Sequence, residues 1–188
     1  KAIKFLIFSN NSMYNDFTII KNKILTDVQI IEPDVFKDSR GLLYTTFLKN
    51  EIENLLIPKA SFVHDKFATS KKNVLRGIHG DFFSWKLITC VYGRIFQVVV
   101  DNRKESKTYL KHFSLFLDSS TPKSVLIPPG FGNAFQVLSA NAVYNYKLAY
   151  SGDYRDADEQ FTLKWNDERI SIDWPNKNPI LSNRDSNS

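Results

Sequence analysis

Cysteine is nearly missing from this chain: Cys90 is the only one among 188 residues. No disulfide can form within the chain, and a reducing, cytoplasmic setting is the expectation. Cys90 lies in the apolar run Leu87-Ile88-Thr89-Cys90-Val91 and reads as a buried, inert thiol rather than a nucleophile. Histidine is also scarce, with three in all, and no Cys/His spacing of the zinc type occurs. No apolar run approaches the length of a membrane-spanning helix, so no membrane association is expected. The opening run Lys1 to Phe8 is short and lacks a small-residue cleavage site, which argues against a signal peptide. Charge is not concentrated either. The net charge is +5, but no Lys/Arg block of nucleic-acid-binding size appears. The surplus cations either make a mildly basic surface or face a diphosphate. There is no internal repeat and no low-complexity segment.

What is present fits one globular domain. The length allows a single core, and 43% apolar with 24% charged residues is an ordinary balance for such a domain. Met13 looks like the natural start, so residues 1–12 are read as a non-native or flexible extension and residues 13–188 as the domain. Aromatics are abundant, with 15 Phe, 8 Tyr and 3 Trp, which suits β-strands or a pocket lined for a sugar or base. Turn signals at short intervals separate β-rich runs. Strands are expected over 42–47, 61–63, 86–91, 95–101, 109–117, 124–127, 135–138 and 142–149. One short helix is expected over 49–57, and the tail holds two further apolar runs at 170–175 and 179–182. Eight to ten strands with almost no helix predict an all-β, cupin-like jelly-roll barrel, a double-stranded β-helix with few short helices. That fold hosts many chemistries and does not itself give a function.

Side chains titrating near neutrality make the easiest general bases, so the three histidines matter. His112 alternates with Ser114 on a polar strand face and reads as a surface residue. His64 precedes Asp65-Lys66, and its role is open. His79 stands in Val74-Leu75-Arg76-Gly77-Ile78-His79-Gly80-Asp81, where flanking glycines allow the backbone close to a ligand. A metal-binding cupin would carry His-x-His here. Position 81 is Asp81 and no histidine follows His112, so no metal and no cofactor are expected.

The run Val74 to His79 is followed in order by Lys86-Leu87, Gly93, Val98-Val99-Val100-Asp101, Pro128-Pro129-Gly130-Phe131, Tyr146-Lys147, Trp165-Asn166-Asp167, Ile172-Asp173-Trp174-Pro175 and Pro179-Ile180-Leu181-Ser182. Together these resemble the dTDP-4-dehydrorhamnose 3,5-epimerase family, over residues 27 to 185. The resemblance implies a metal-free epimerase that inverts C3, C5 or both of a nucleotide-linked 4-keto sugar in surface polysaccharide biosynthesis. It implies His79 as the base, Asp185 as its carboxylate partner, Lys86 as the stabiliser of the enolate oxygen and Tyr146 as the acid on the opposite face. Arg40 and Arg76 match arginines that contact the diphosphate. His64, Lys66, Asn133 and Arg184 fall at expected substrate contacts. The family also implies a homodimer, with Arg40 reaching the partner's site.

The sequence departs from the family at three places. Asn133 stands where a histidine is usual, His64-Asp65-Lys66 replaces Gln-Asp-Asn, and Gly80-Asp81 follows the base where an aromatic residue and Gln are usual. These segments look closer to a subgroup acting on GDP-linked 4-keto-heptoses, so both GDP- and dTDP-linked 4-keto sugars are candidate ligands. Blander roles stand beside these: Tyr146 as core, Asp185 as a frayed terminal residue, Arg40 as a turn residue beside Gly41. Two other functions are weighed: a 3,4-ketoisomerase of the same fold, and a non-catalytic carbohydrate-binding jelly roll.

Overall fold

The computed structural model describes residues 17–57, 59–154 and 159–188. The expected extension at 1–12 lies outside the described residues. Among the described residues, thirteen strands and two short helices follow in the order β1 (Phe17–Lys21), β2 (Gln29–Pro33), β3 (Val35–Asp38), β4 (Gly41–Tyr44), α1 (Lys49–Glu53), β5 (Ser61–Lys71), β6 (Leu75–Gly80), β7 (Trp85–Tyr92), β8 (Arg94–Asp101), β9 (His112–Asp118), β10 (Ser124–Ile127), β11 (Phe131–Val137), β12 (Asn141–Tyr150), β13 (Phe161–Thr162) and α2 (Asn183–Ser186). They form a six-stranded sheet, β1-β2-β10-β7-β12-β5, and a five-stranded sheet, β13-β6-β11-β8-β9. The β3–β4 hairpin stands apart as a third, two-stranded sheet. This is the expected cupin-like jelly roll, two antiparallel sheets packed face to face.

Alternation along the strands builds three apolar layers. Between the sheets, Ile88, Cys90, Val125, Ile127 and Tyr144 meet Ile95, Val99, Phe131, Phe135 and Val137. Outside the five-stranded sheet, Phe96, Val98 and Val100 are covered by Ile170 and Trp174 of the C-terminal tail. Outside the six-stranded sheet, Ile31, Leu87 and Leu126 are covered by Ile52 and Leu56, in and just after α1. Strands β7 and β8 are therefore buried on both faces, and they read as near-continuous apolar runs.

The tail is a strap rather than further strands. Ile180 makes one parallel bridge to Val74, and Gln136 binds both backbone groups of Asn176, at 2.8 and 2.9 Å. Strand β5 is far longer than the expected three residues. It lies at a sheet edge with one face in water, so its alternation includes His64, Asp65 and Lys66 and carries little apolar signal. His112 is half-buried rather than at the surface, because the tail passes over it and the Ile170 carbonyl lies 3.1 Å from Nδ1.

Candidate active site

A cavity of about 470 Å³ opens between the sheets. It is lined by β5, β6, β7, β11, β12 and the tail, and the side chains of His79, Lys86, Tyr146, Asp185, Arg76, Lys66, Asn133 and Arg184 all border it. Eight of the ten sequence-predicted site residues thus converge.

Strand β6 places two of them by breaking its own alternation. Asn133 of β11 pairs with His79 and Phe135 pairs with Arg76, so three residues of β6 are spanned by two steps of β11. The extra residue is a bulge, and it turns Arg76 and His79, three apart, to the same cavity. Gly77 sits inside it at φ +118°. A Cβ there would lie 2.5 Å from the Asn133 carbonyl oxygen and 2.6 Å from the Ala134 Cβ, so only glycine suits both the conformation and the space.

Asp185 is only 2% exposed, although only three residues follow it in the sequence. The strap at Ile180 delivers the chain to α2, where Ser182 is the N-cap and accepts from the Asp185 backbone N. The Ser182 hydroxyl also donates to Asp185 Oδ2 at 2.9 Å, while Oδ1 lies 2.5 Å from His79 Nε2. Burial pushes the Asp185 carboxyl up, but hydrogen bonds from His79 and Ser182 outweigh it and hold the group below its ordinary value. An ionised Asp185 keeps the proton on Nε2 and leaves Nδ1 as the basic nitrogen. The frayed-terminus role is excluded.

Lys86 follows Trp85 on β7 and points inward, only 7% exposed. Burial draws its pKa down, opposed by Asp81, whose Oδ2 lies 3.7 Å from Nζ. Asp81 is held in turn by the backbone N–H groups of Phe83 and Ser84 at its Oδ1. The Lys86 Nζ also lies 3.5 Å from the backbone carbonyl of His79, which sets the amine beside the strand that carries the histidine. Tyr146 enters from β12, in the facing sheet, with Tyr144 two residues before it on the same side. Arg76 is exposed on the cavity rim, its Nε donating to Ser70 at 2.9 Å. Arg184 donates to Thr162 and to the Gln160 carbonyl.

Two of the expected substrate contacts, Arg40 and His64, stand outside this cavity of the single chain. Arg40 does not line the cavity: it sits in the β3–β4 turn, 84% exposed, with Nη2 2.6 Å from Asp38. The β3–β4 hairpin that carries it pairs with neither sheet of the barrel. His64 does not line the cavity either. It packs edge-on against Tyr154, 4.6 Å between ring centroids, with the Tyr150 hydroxyl 3.5 Å from its Nδ1. Its neighbour two residues on, Lys66, does reach the cavity and donates to the Tyr154 hydroxyl at 2.6 Å. Sequence reading also passed over Tyr144, Tyr154, Phe135, Gln160 and Ser182, which line the cavity. For Tyr144 the signal was present, since it alternates with Tyr146.

The fold and the comparisons place the chain among the cupin-like nucleotide-sugar epimerases, which are isomerases. The profile of the dTDP-4-dehydrorhamnose 3,5-epimerase family matches residues 22–188. The dTDP-4-dehydrorhamnose 3,5-epimerase of Escherichia coli strain K12 is 39% identical over 166 residues, covering 87% of this chain and 88% of the relative. Among solved structures, dTDP-6-deoxy-D-glucose-3,5-epimerase from Legionella pneumophila, in complex with dTDP-4-keto-L-rhamnose, superposes with a TM-score of 0.84 at 34% identity, over 92% of this chain and 91% of that one. A 3'-monoepimerase from Streptomyces bikiniensis, in complex with dTDP-quinovose, gives 0.79 at 26% identity, over 89% and 85%. The chain belongs to the dTDP-4-dehydrorhamnose 3,5-epimerase family.

Proposed function

We propose that this enzyme inverts C3, C5 or both of a nucleotide-linked 4-keto sugar through an enolate. The observation that carries the reading is the His79–Asp185 pair, 2.5 Å apart in a cavity shared with Lys86 and Tyr146. The ketone acidifies the neighbouring C–H bonds. His79 Nδ1 takes the proton, and the C–H pair forms a C=C bond while the carbonyl pair moves onto the C4 oxygen. Asp185 favours the imidazolium that results. Lys86 stabilises the oxygen's charge, which a buried cation does far better than one in water. Tyr146 then gives its proton to the carbon from the opposite face and the ketone re-forms inverted. Arg76 holds the diphosphate bidentately and keeps the ring in register.

The named relatives favour a dTDP-linked 4-keto-6-deoxyhexose as substrate. The expected closeness to enzymes of GDP-linked 4-keto-heptoses gives way to the dTDP-rhamnose type, to which the family profile and the named relatives belong. We place the reaction in surface polysaccharide biosynthesis in the cytoplasm. Among the described residues no helix is long and apolar enough to cross a membrane.

The enzyme acts as a homodimer in this reading. Edge strand β5 turns Val63 and Phe67 outward, and the hairpin exposes Val35, Phe36, Leu42 and Leu43. A long strand edge with apolar side chains invites a second copy. Arg40 on that hairpin would then reach the partner's cavity rather than its own. Light scattering that gives a monomer mass would remove this part.

The test of the reaction is proton NMR in deuterated water with each 4-keto sugar nucleotide. Deuterium entering C3 or C5 supports the enolate route and identifies the carbon. Exchange with none of them, by folded protein, refutes it in favour of a binding module.

A further inference from the structure

We infer that Asn133 is a fixed hydrogen-bond donor to an acceptor-only oxygen of the bound sugar nucleotide, held in that role by Gln97 and Tyr144; the inference rests on the epimerase reading of the same cavity. The argument begins at a backbone carbonyl. Gln97 is fully buried on β8 and its Nε2 donates to the Val98 carbonyl at 3.0 Å. That contact fixes the amide, because the reverse orientation would set Oε1 against another oxygen. The same Nε2 donates to Asn133 Oδ1 at 2.6 Å, so Asn133 must present its oxygen to Gln97. The Tyr144 hydroxyl lies 3.1 Å from both Asn133 Oδ1 and Gln97 Oε1 and donates between them. Burial pushes the Tyr144 phenol far above its ordinary range, so it stays a donor at neutral pH. Its ring is stacked on Phe135 at 4.2 Å, which holds the hydroxyl in place.

With Oδ1 taken, only the Asn133 amide nitrogen is left for a ligand. Its hydrogens have no acceptor among the described residues, and the atom is not sealed from solvent. Asn133 borders the cavity and is the register partner of His79, with Arg76 opposite Phe135 two residues on. Cross-strand partners hold their Cβ atoms about 5 Å apart, so this donor sits beside the base, toward the diphosphate arginine. It can donate and cannot accept. A sugar hydroxyl would find no acceptor in Asn133 for its own proton. Of the substrate oxygens that accept without donating, the two that lie near the base and the diphosphate arginine are the C4 oxygen, ketone then enolate, and a phosphoryl oxygen.

Asn133→Asp replaces the donor by an acceptor while keeping oxygens for Gln97 and Tyr144. If the C4 oxygen is the partner, kcat falls about a hundredfold with KM nearly constant, the usual loss for one oxyanion donor. If a phosphoryl oxygen is the partner, KM rises by roughly tenfold or more with kcat nearly constant. Either result supports a donor role. Asn133→Ala should move the same parameter in the same direction, which separates loss of the donor from the added charge. Tyr144→Phe should lower activity about fivefold through that parameter alone, since it loosens the amide without removing it. Asn133→Asp and Asn133→Ala with unchanged kcat and KM would overturn the inference. Tyr144→Phe that lowers only the melting temperature would overturn the positioning by Tyr144. Wild-type protein that exchanges solvent deuterium into no 4-keto sugar nucleotide would bring down the epimerase reading and this one together. Wild-type exchange alongside indifferent Asn133 variants would bring down this one alone.

Discussion

Two buried carboxylates in this molecule look alike by exposure and differ in everything else. Asp101 is fully buried at the end of β8, and Asp185 is 2% exposed in the tail. Asp101 takes donors only from its own loop: the Arg103 backbone N, Nε and Nη2, and the hydroxyls of Ser106 and Thr108, at 2.6 to 2.9 Å. All lie within seven residues in the chain, and Arg103 itself is tied to Asp27 and rests over the Phe131 ring. Every lone pair is occupied, and the group is a loop clamp. Asp185 has a local partner, Ser182, and reaches across the fold to the Gly77 backbone and to His79, 106 residues away, whose side chain is 25% exposed to the cavity. Long-range pairing to a titratable group open to a ligand is what the proposed mechanism asks of a reacting carboxylate, and a structural one lacks it.

The largest effect should come from the exposed member of the reacting pair. His79→Asn keeps the size and removes the base, so deuterium exchange should fall about a hundred- to ten-thousand-fold, with the melting temperature nearly unchanged. Asp185→Asn should come next. The amide cannot balance an imidazolium, and exchange should drop at least tenfold, a loss of the kind seen when the partner that orients a functional group is removed. If Asp185→Asn exchanged at the normal rate, the contrast between the two carboxylates would lose its meaning. Tyr146→Phe should divide the two half-reactions, sparing proton removal while slowing inversion. Equal loss of exchange and inversion would argue against its acid role.

The contrast also marks what could be read in advance. Lys86 and Tyr146 entered through the resemblance, because β7 is buried on both faces and β12 carries register shifts, so simple alternation marks neither position. The barrel class follows from turn spacing. His79 was legible only as a histidine between glycines. That it shares a face with Arg76 depends on the β6 bulge, which cancels the ordinary period and leaves no mark except Gly77. Asp185 had no local signal, since its burial is created by the strap of Ile180 and Gln136 acting at long range. It entered only through the family motif. Arg40 entered through the family resemblance, and His64 stands where the sequence departs from the family; neither carries a local signal that would place it inside or outside the cavity. Tyr144 and Gln97 resembled ordinary core residues, because their pairing is a product of register between three strands.

The smallest effect concerns the clamp, and it is seen only in stability. Arg103, Ser106 and Thr108 together outweigh the effect of burial and lower Asp101 from 3.8 to about 2. A carboxyl lowered on folding stabilises the native state fully above the unfolded value, and that contribution fades as pH falls toward the folded one. The window therefore runs from about pH 4 down to about pH 2. Asp101→Asn should cost about 2 kcal/mol at pH 7, with kcat unchanged because no lone pair of Asp101 meets the cavity. The difference in melting temperature between variant and wild type should be constant from pH 7 to about pH 5 and shrink below pH 4. A difference that persisted unchanged at pH 2 would mean that Asp101 contributes through shape rather than charge, and the clamp would have to be assigned to the two hydroxyls.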